Sequence, residues 1–271
     1  MAKLKIGIIV GMENPEREIG KVADLGLRSC QVNSGPSSWT DAAGEVLTRA
    51  CRQHGVTVST LWAGCSGPHV WDFLDGPRTI GLVPPEHRSR RVAELVSAGE
   101  FAARWKFPSI TTHVGFIPEN SNNPDFEGTV QAVRQVAQRC AELGVGFWFE
   151  TGQETPVTLL RTIQRVGLPN LGVNLDTANL ILYGKANPLD ALDVLGPWVR
   201  GMHVKDGLYP TDGDRLGRET PVGEGKVDFP RIIARLKELG YAGTLTIERE
   251  ITGPQQIEDI RKAIAILQPL L

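Results

Sequence analysis

The chain has 271 residues, with 29 Lys and Arg against 31 Asp and Glu, a net charge of −2, 41% hydrophobic residues and four cysteines. Near-neutral charge removes the electrostatic case for a nucleic-acid or other polyanionic partner, and no apolar run approaches the roughly 18 residues of a membrane span. Cys30, Cys51, Cys65 and Cys140 show no CxxC spacing, which excludes zinc-finger and thioredoxin motifs.

Met1-Ala-Lys-Leu-Lys5 runs straight into a strand-like segment with no leader-type apolar region or cleavage site, so the expected compartment is the cytoplasm. Eight short, apolar, β-branched segments then follow: Lys5–Val10, Ser29–Asn33, Thr57–Trp62, Ser109–Val114, Gly146–Glu150, Leu171–Asp176, Val199–Val204 and Thr244–Glu248. None alternates with period two, which is how strands covered on both faces of a parallel sheet read. Between them lie amphipathic stretches, such as Val92, Leu95, Val96 and Phe101, Val130, Val133, Val136 and Ala137, and Ile232, Ile233, Leu236 and Leu239. Pro15, Pro156, Pro188 and Pro230 stand near helix starts, and Gly144, Gly167 and Gly240 follow helix ends. Helices fit after all eight strands, least clearly after the second and sixth.

This alternation predicts parallel βαβ units. At about 34 residues per unit it matches a (β/α)8 TIM barrel. An open doubly wound sheet would carry a glycine fingerprint after the first strand, and Val10-Gly-Met-Glu-Asn-Pro15 has none. No linker or composition break divides the chain, so residues 1–271 read as one domain. Two connections are long, Ala63–Pro85 and Gly207–Val227. Both follow strands, so both belong to the C-terminal face, where barrel sites are built.

Four consecutive strands end in chemistry: Glu150, Asp176, His203 and Glu248. Taken singly, such a carboxylate reads as a helix cap or half an ion pair, and a lone histidine as structural. Crowded on one rim, three carboxylates and an imidazole would raise one another's pKa values unless a cation sat among them. Three oxygen donors and one nitrogen suit Mn2+, Mg2+, Co2+ or a similar ion, and no cysteine ends these strands to favour a structural zinc site.

The same residues resemble the xylose isomerase-like TIM-barrel superfamily of sugar isomerases and epimerases. The likeness is closest to the D-tagatose/D-psicose 3-epimerases and the 3-keto-glucoside epimerases. It rests on Glu150 in Phe147-Trp-Phe-Glu-Thr-Gly-Gln-Glu154, Asp176 in Asn174-Leu-Asp-Thr177, His203 in Gly201-Met-His-Val-Lys-Asp-Gly207, and Glu248 in Gly243-Thr-Leu-Thr-Ile-Glu248. Gly223-Glu-Gly-Lys-Val-Asp-Phe229 and Leu239-Gly-Tyr-Ala-Gly-Thr244 carry it into the last strand. The resemblance implies one divalent metal, usually Mn2+ with Mg2+, Co2+ or Zn2+ as alternatives, held by Glu150, Asp176, His203 and Glu248. It also implies Glu150 and Glu248 as the acid/base pair that epimerises a keto-sugar through a cis-enediolate. A small-molecule sugar is then the partner, and relatives are often dimers or tetramers.

Several positions depart from the ketose epimerases. Asn179 stands where they carry a substrate-contacting histidine, and Lys205, then Arg215 and Arg218, where they place an arginine. Glu154 is the nearest counterpart of their second sugar-contacting carboxylate. Glu150-Thr-Gly-Gln-Glu154 with Thr112-His-Val-Gly-Phe-Ile-Pro118 looks closer to the 3-keto-glucoside branch. Expected substrate contacts are His113, Asn179, Glu154, Lys205, Trp62 and Arg218, with Trp71 and Phe116 as further stacking aromatics. Lys205 has the alternative of an outward-facing strand position. The same enolisation would also serve an aldose–ketose isomerase or a dehydratase acting on a keto-sugar or inosose. A non-catalytic sugar-binding barrel is the alternative outside enzymology. A three-metal AP endonuclease of the same superfamily is disfavoured, because Asn179 replaces one of its histidines and the strand-seven loop offers no Asp-x-His.

Overall fold

Strands buried on both faces need cover inside and out, and the chain supplies it by alternating them with helices that each carry one apolar face. The computed structural model describes residues 4–271. The first half comprises β1 (Lys5–Gly11), α1 (Pro15–Asp24), β2 (Ser29–Ser34), α2 (Asp41–His54), β3 (Thr57–Ala63), α3 (Gly76–Thr79), α4 (Pro85–Arg104), β4 (Ser109–Thr112) and α5 (Pro124–Glu142). The second half comprises β5 (Gly146–Glu150), α6 (Pro156–Val166), β6 (Leu171–Asp176), α7 (Thr177–Leu182), α8 (Pro188–Leu195), β7 (Val199–Val204), β8 (Asp206–Leu208), β9 (Arg218–Thr220), α9 (Phe229–Glu238), β10 (Thr244–Ile247) and α10 (Pro254–Leu267). Eight parallel strands close into a barrel in the order β1-β10-β7-β6-β5-β4-β3-β2. This is the expected (β/α)8 barrel. Met1–Lys3, part of the expected leaderless start and of the 1–271 domain, lie outside the described residues. No described helix is long and apolar enough to cross a membrane.

Local chemistry places the boundaries. Asn14, Thr155 and Asn187 cap α1, α6 and α8 through their side chains, with Pro15, Pro156 and Pro188 at the first helical position. Gly167 closes α6 in the left-handed conformation. β6 is buried at every residue, Asn174 and Asp176 included.

Four details differ from the sequence reading. β4 ends at Thr112 rather than Val114, so His113 stands just beyond the strand. β10 ends at Ile247, although the Glu248 N–H still donates to Val204 O at 3.1 Å and extends the ladder by one residue. The segment after β6 is two short helices, because Gly184 turns at positive φ between them. The long connection after β7 contains an antiparallel hairpin, β8 with β9.

Both long connections are anchored. Asp206 is buried, and its carboxylate accepts from the backbone N–H groups of Gly207, Val227, Gly223 and Gly225 at 2.8–3.0 Å. A Cβ on Gly225 would lie 2.0 Å from Asp206 Oδ1, so only glycine permits this approach. In the other connection Arg91, fully buried, donates to Gly81 O at 2.8 Å and Pro68 O at 2.9 Å. Both loops are therefore held over the barrel mouth by buried charge-assisted hydrogen bonds.

Candidate metal centre

Register brings the four strand-end residues together. Asp176 and His203 are direct partners across β6 and β7, while Glu150 pairs with Asn174, two residues before Asp176 on β6. One ligand atom from each of Glu150, Asp176, His203 and Glu248 lies within 4.8 Å of all the others. His203 Nδ1 is the hub, 3.2 Å from Glu150 Oε1, 3.3 Å from Asp176 Oδ2 and 3.1 Å from Glu248 Oε2. Asp176 combines the structural and the chemical reading of a strand-end carboxylate. Its Oδ1 accepts from Asn179 N at 2.7 Å and caps α7, which leaves Oδ2 facing the histidine.

The surrounding groups orient this set. Glu150 Oε2 accepts a hydrogen bond from Trp62 Nε1. His113 Nε2 lies 3.1 Å from Glu150 Oε1, and Asn179 Nδ2 donates to the same oxygen at 3.4 Å. Lys205 is buried and faces inward, because residues two apart on a strand share a face and His203 faces inward. Its ammonium lies 3.3 Å from Glu248 Oε2, 2.8 Å from Glu250 Oε1 and 3.3 Å from Asn179 Oδ1. The outward alternative for Lys205 is thereby corrected.

Charge crowding is visible in the proton affinities. Burial disfavours ionisation of Glu150, but His113 and His203 outweigh it and hold this carboxyl well below its usual range. Burial likewise opposes ionisation of Glu248, yet Lys205 and His203 bring it down to about 2. Asp176, fully buried and facing Glu248, is raised to about 7 despite Lys205. Burial opposes the charge on His203, and Glu150 and Glu248 overcome it to hold the ring well above its usual value. Protons on Asp176 and His203 thus offset charge that a divalent cation would offset instead. Glu248 Oε2 is buried and makes no bond of hydrogen-bond geometry, although two cationic groups stand near it. An unpartnered carboxylate oxygen aimed at the middle of the cluster fits an oxygen-rich divalent site.

The other expected contacts divide. Trp62, His113, Asn179 and Lys205 converge on the cluster. Glu154 is buried beside His113, and burial pushes its carboxyl up to about 7. Trp71 is exposed on the loop after β3 with its ring 5.1 Å from His113, whereas Phe116 packs edge-on against Tyr183. Arg218 is exposed on β9 opposite Leu208, and its side chain is not among the hydrogen bonds and ion pairs of this network. Two neighbours escape a reading of strand ends, Glu250 and Gln31. Gln31 Nε2 lies 2.8 Å from His203 Nε2, and the signal available in the sequence was an amide between Cys30 and Val32 inside β2. On the side of β1, β2 and β10 the mouth widens into a cavity of about 1040 Å³, with Glu248 and Glu250 on one wall and Arg17, Asn33 and Ser37 on others.

Residues 19–270 match the family model described as xylose isomerase-like TIM barrel. A xylose isomerase domain protein from Planctomyces limnophilus superposes with a TM-score of 0.93 at 35% identity, covering 98% of this chain and 97% of that one. The 3-keto-D-glucoside 4-epimerase of E. coli shares the fold, with a TM-score of 0.71 at 17% identity over 98% of this chain and 100% of that one. A 3-dehydroshikimate dehydratase from Bacillus anthracis is 27% identical over 133 residues, 43% of this chain and 47% of that protein. The chain spans about half the length of the curated relatives it matches.

Proposed function

Because the chain belongs to the xylose isomerase-like TIM-barrel family, we propose that it is a divalent-metal-dependent epimerase of keto-sugars. The observation that carries this reading is the convergence of Glu150, Asp176, His203 and Glu248, one ligand atom each, at the barrel mouth. These four side chains would hold a divalent cation, Mn2+ in the first instance, which would supply Lewis acidity to stabilise negative charge on a substrate carbonyl oxygen.

The protein's own groups then move the proton. Glu150, kept ionised by His113 and His203 and oriented by Trp62, accepts the proton from the carbon next to the carbonyl. The electron pair left behind gives an enediolate. Glu248 arrives from β10, separated in the barrel from β5 by β6 and β7, and this supports access to the opposite face of the sugar. Glu248, oriented by Lys205 Nζ at 3.3 Å from its Oε2, returns to the carbon a proton drawn from solvent, and the proton taken by Glu150 is released to solvent before the next turnover. Return to the opposite face inverts the centre. The aromatic side of the mouth, Trp62 and Trp71, suits the apolar face of a sugar ring.

The cavity of about 1040 Å³ beside Glu248 favours a substituted keto-sugar, such as a 3-keto-glucoside, over a free ketohexose. Incubation with Mn2+ and a 3-keto-glucoside in deuterated water tests the reading. Deuterium incorporation next to the carbonyl with formation of the epimer is expected. A sugar-binding barrel would exchange nothing. The similarity to the Bacillus anthracis dehydratase supports elimination as a second reading, and an unsaturated product in the same tube would establish it.

A further inference from the structure

β2 is buried along most of its length, and Gln31 is its one buried amide, 1% exposed. The side chain crosses the barrel interior to His203 on β7, past the two intervening strands β1 and β10. Its nitrogen lies 2.8 Å from His203 Nε2, while its Oε1 is buried without a partner. A buried amide oxygen without a partner is unfavourable, because it has given up its hydrogen bonds to water.

The histidine explains the placement. His203 Nδ1 faces Glu150, Asp176 and Glu248 at 3.1–3.3 Å, so it is the ring atom that meets an ion held by those carboxylates. A ring nitrogen that ligates a metal offers its lone pair, and the ring's single proton then sits on Nε2, which requires an acceptor. A half-turn of the Gln31 amide interchanges two groups of nearly equal size and brings the orphaned Oε1 onto Nε2. That single rotation pairs the stranded oxygen and leaves Nδ1 free to ligate.

We propose that Gln31 is the positioning residue of the metal centre, with its amide oxygen accepting from His203 Nε2–H and fixing the ring with Nδ1 toward Glu150, Asp176 and Glu248. The inference rests on the metal-dependent reading above. It assigns Gln31 no contact with substrate.

The test is Mn2+ binding to the purified full chain by isothermal titration calorimetry, alongside thermal melting of the metal-free protein. Gln31→Leu keeps the bulk and removes the acceptor, and its Kd for Mn2+ is expected to rise about 10- to 100-fold. Gln31→Glu restores an oxygen at the same reach and is expected to bind within about threefold of wild type, an acceptor-specific rescue. Gln31→Met serves as the second apolar variant should Gln31→Leu fail to fold, with the same expected loss. Folded Leu or Met variants that bind Mn2+ as tightly as wild type, with only a lowered melting temperature, would make Gln31 a packing residue and overturn the inference. A wild-type protein that takes up no divalent metal would instead overturn the metal reading, and this inference with it.

Discussion

The barrel mouth has two arcs of different character. β5, β6, β7 and β10 are neighbours in the closed sheet and bring Glu150, Asp176, His203 and Glu248 to one place. β2, β3 and the turn after β4 face them with Gln31, Trp62 and His113, which touch the ionisable set through single hydrogen bonds or close polar contacts. One arc concentrates charge and the other orients it. Four like-placed ionisable groups left to themselves would repel or titrate one another, so the second arc has to consist of directional groups. The cavity of the mouth lies beside β1 and β2, with Glu248 and Glu250 of the charged side on one of its walls.

The division breaks most visibly if the charged arc is edited. Glu150→Gln and Glu248→Gln each remove a ligand charge and a proton carrier, and kcat on a keto-sugar should fall by about 10²–10⁴. Steady-state kinetics at saturating Mn2+ measure this, and near-normal turnover in either variant would remove that residue from the acid/base pair.

Glu154 lies where the arcs meet, beside His113, and tests whether that junction is dry. Its carboxyl is raised from 4.5 to about 7 by burial. Between those pH values the native state holds a proton that the unfolded chain has released, so this group's contribution makes stability fall as pH rises from about 4.5 to 7. At about 1.4 kcal/mol per unit the whole effect is on the order of 3 kcal/mol. Glu154→Gln removes it, so the variant should gain on wild type at pH 8 and not at pH 4.5, as read by guanidinium unfolding at both. An equal difference at the two pH values would mean that water reaches the carboxylate.

The smallest effect belongs to the orienting arc. Trp62→Phe deletes the donor to Glu150 Oε2 while keeping most of the ring, and kcat should drop about tenfold with the melting temperature nearly unchanged. A loss as large as that of Glu150→Gln would show that the indole does more than hold the carboxylate.

How much of this was legible in the sequence varies residue by residue. Strand-end identity alone singled out Glu150, Asp176, His203 and Glu248, because a strand that must be apolar throughout betrays a polar residue at its end. Lys205 could be placed from His203 by counting two residues. Gln31 carried the same kind of signal in the middle of β2, but nothing local says which strand across the barrel it will reach. Arg218 is legible only as a basic residue in a long loop, and a three-residue hairpin strand is too short for its pattern to be recognised.

The sequence by itself determined the (β/α)8 alternation and which residues stand at the C-terminal ends of the strands, since burial on both faces and helix capping are local demands written in residue type. Only the tertiary structure decided that Asp176 Oδ1 caps a helix while Oδ2 faces His203, and that Gln31 meets His203 at a separation of 172 residues. It also decided that the wide side of the mouth opens beside Glu248. Those outcomes follow from the stagger of closed strands and the packing of loops against them, and distances across a barrel depend on every strand between.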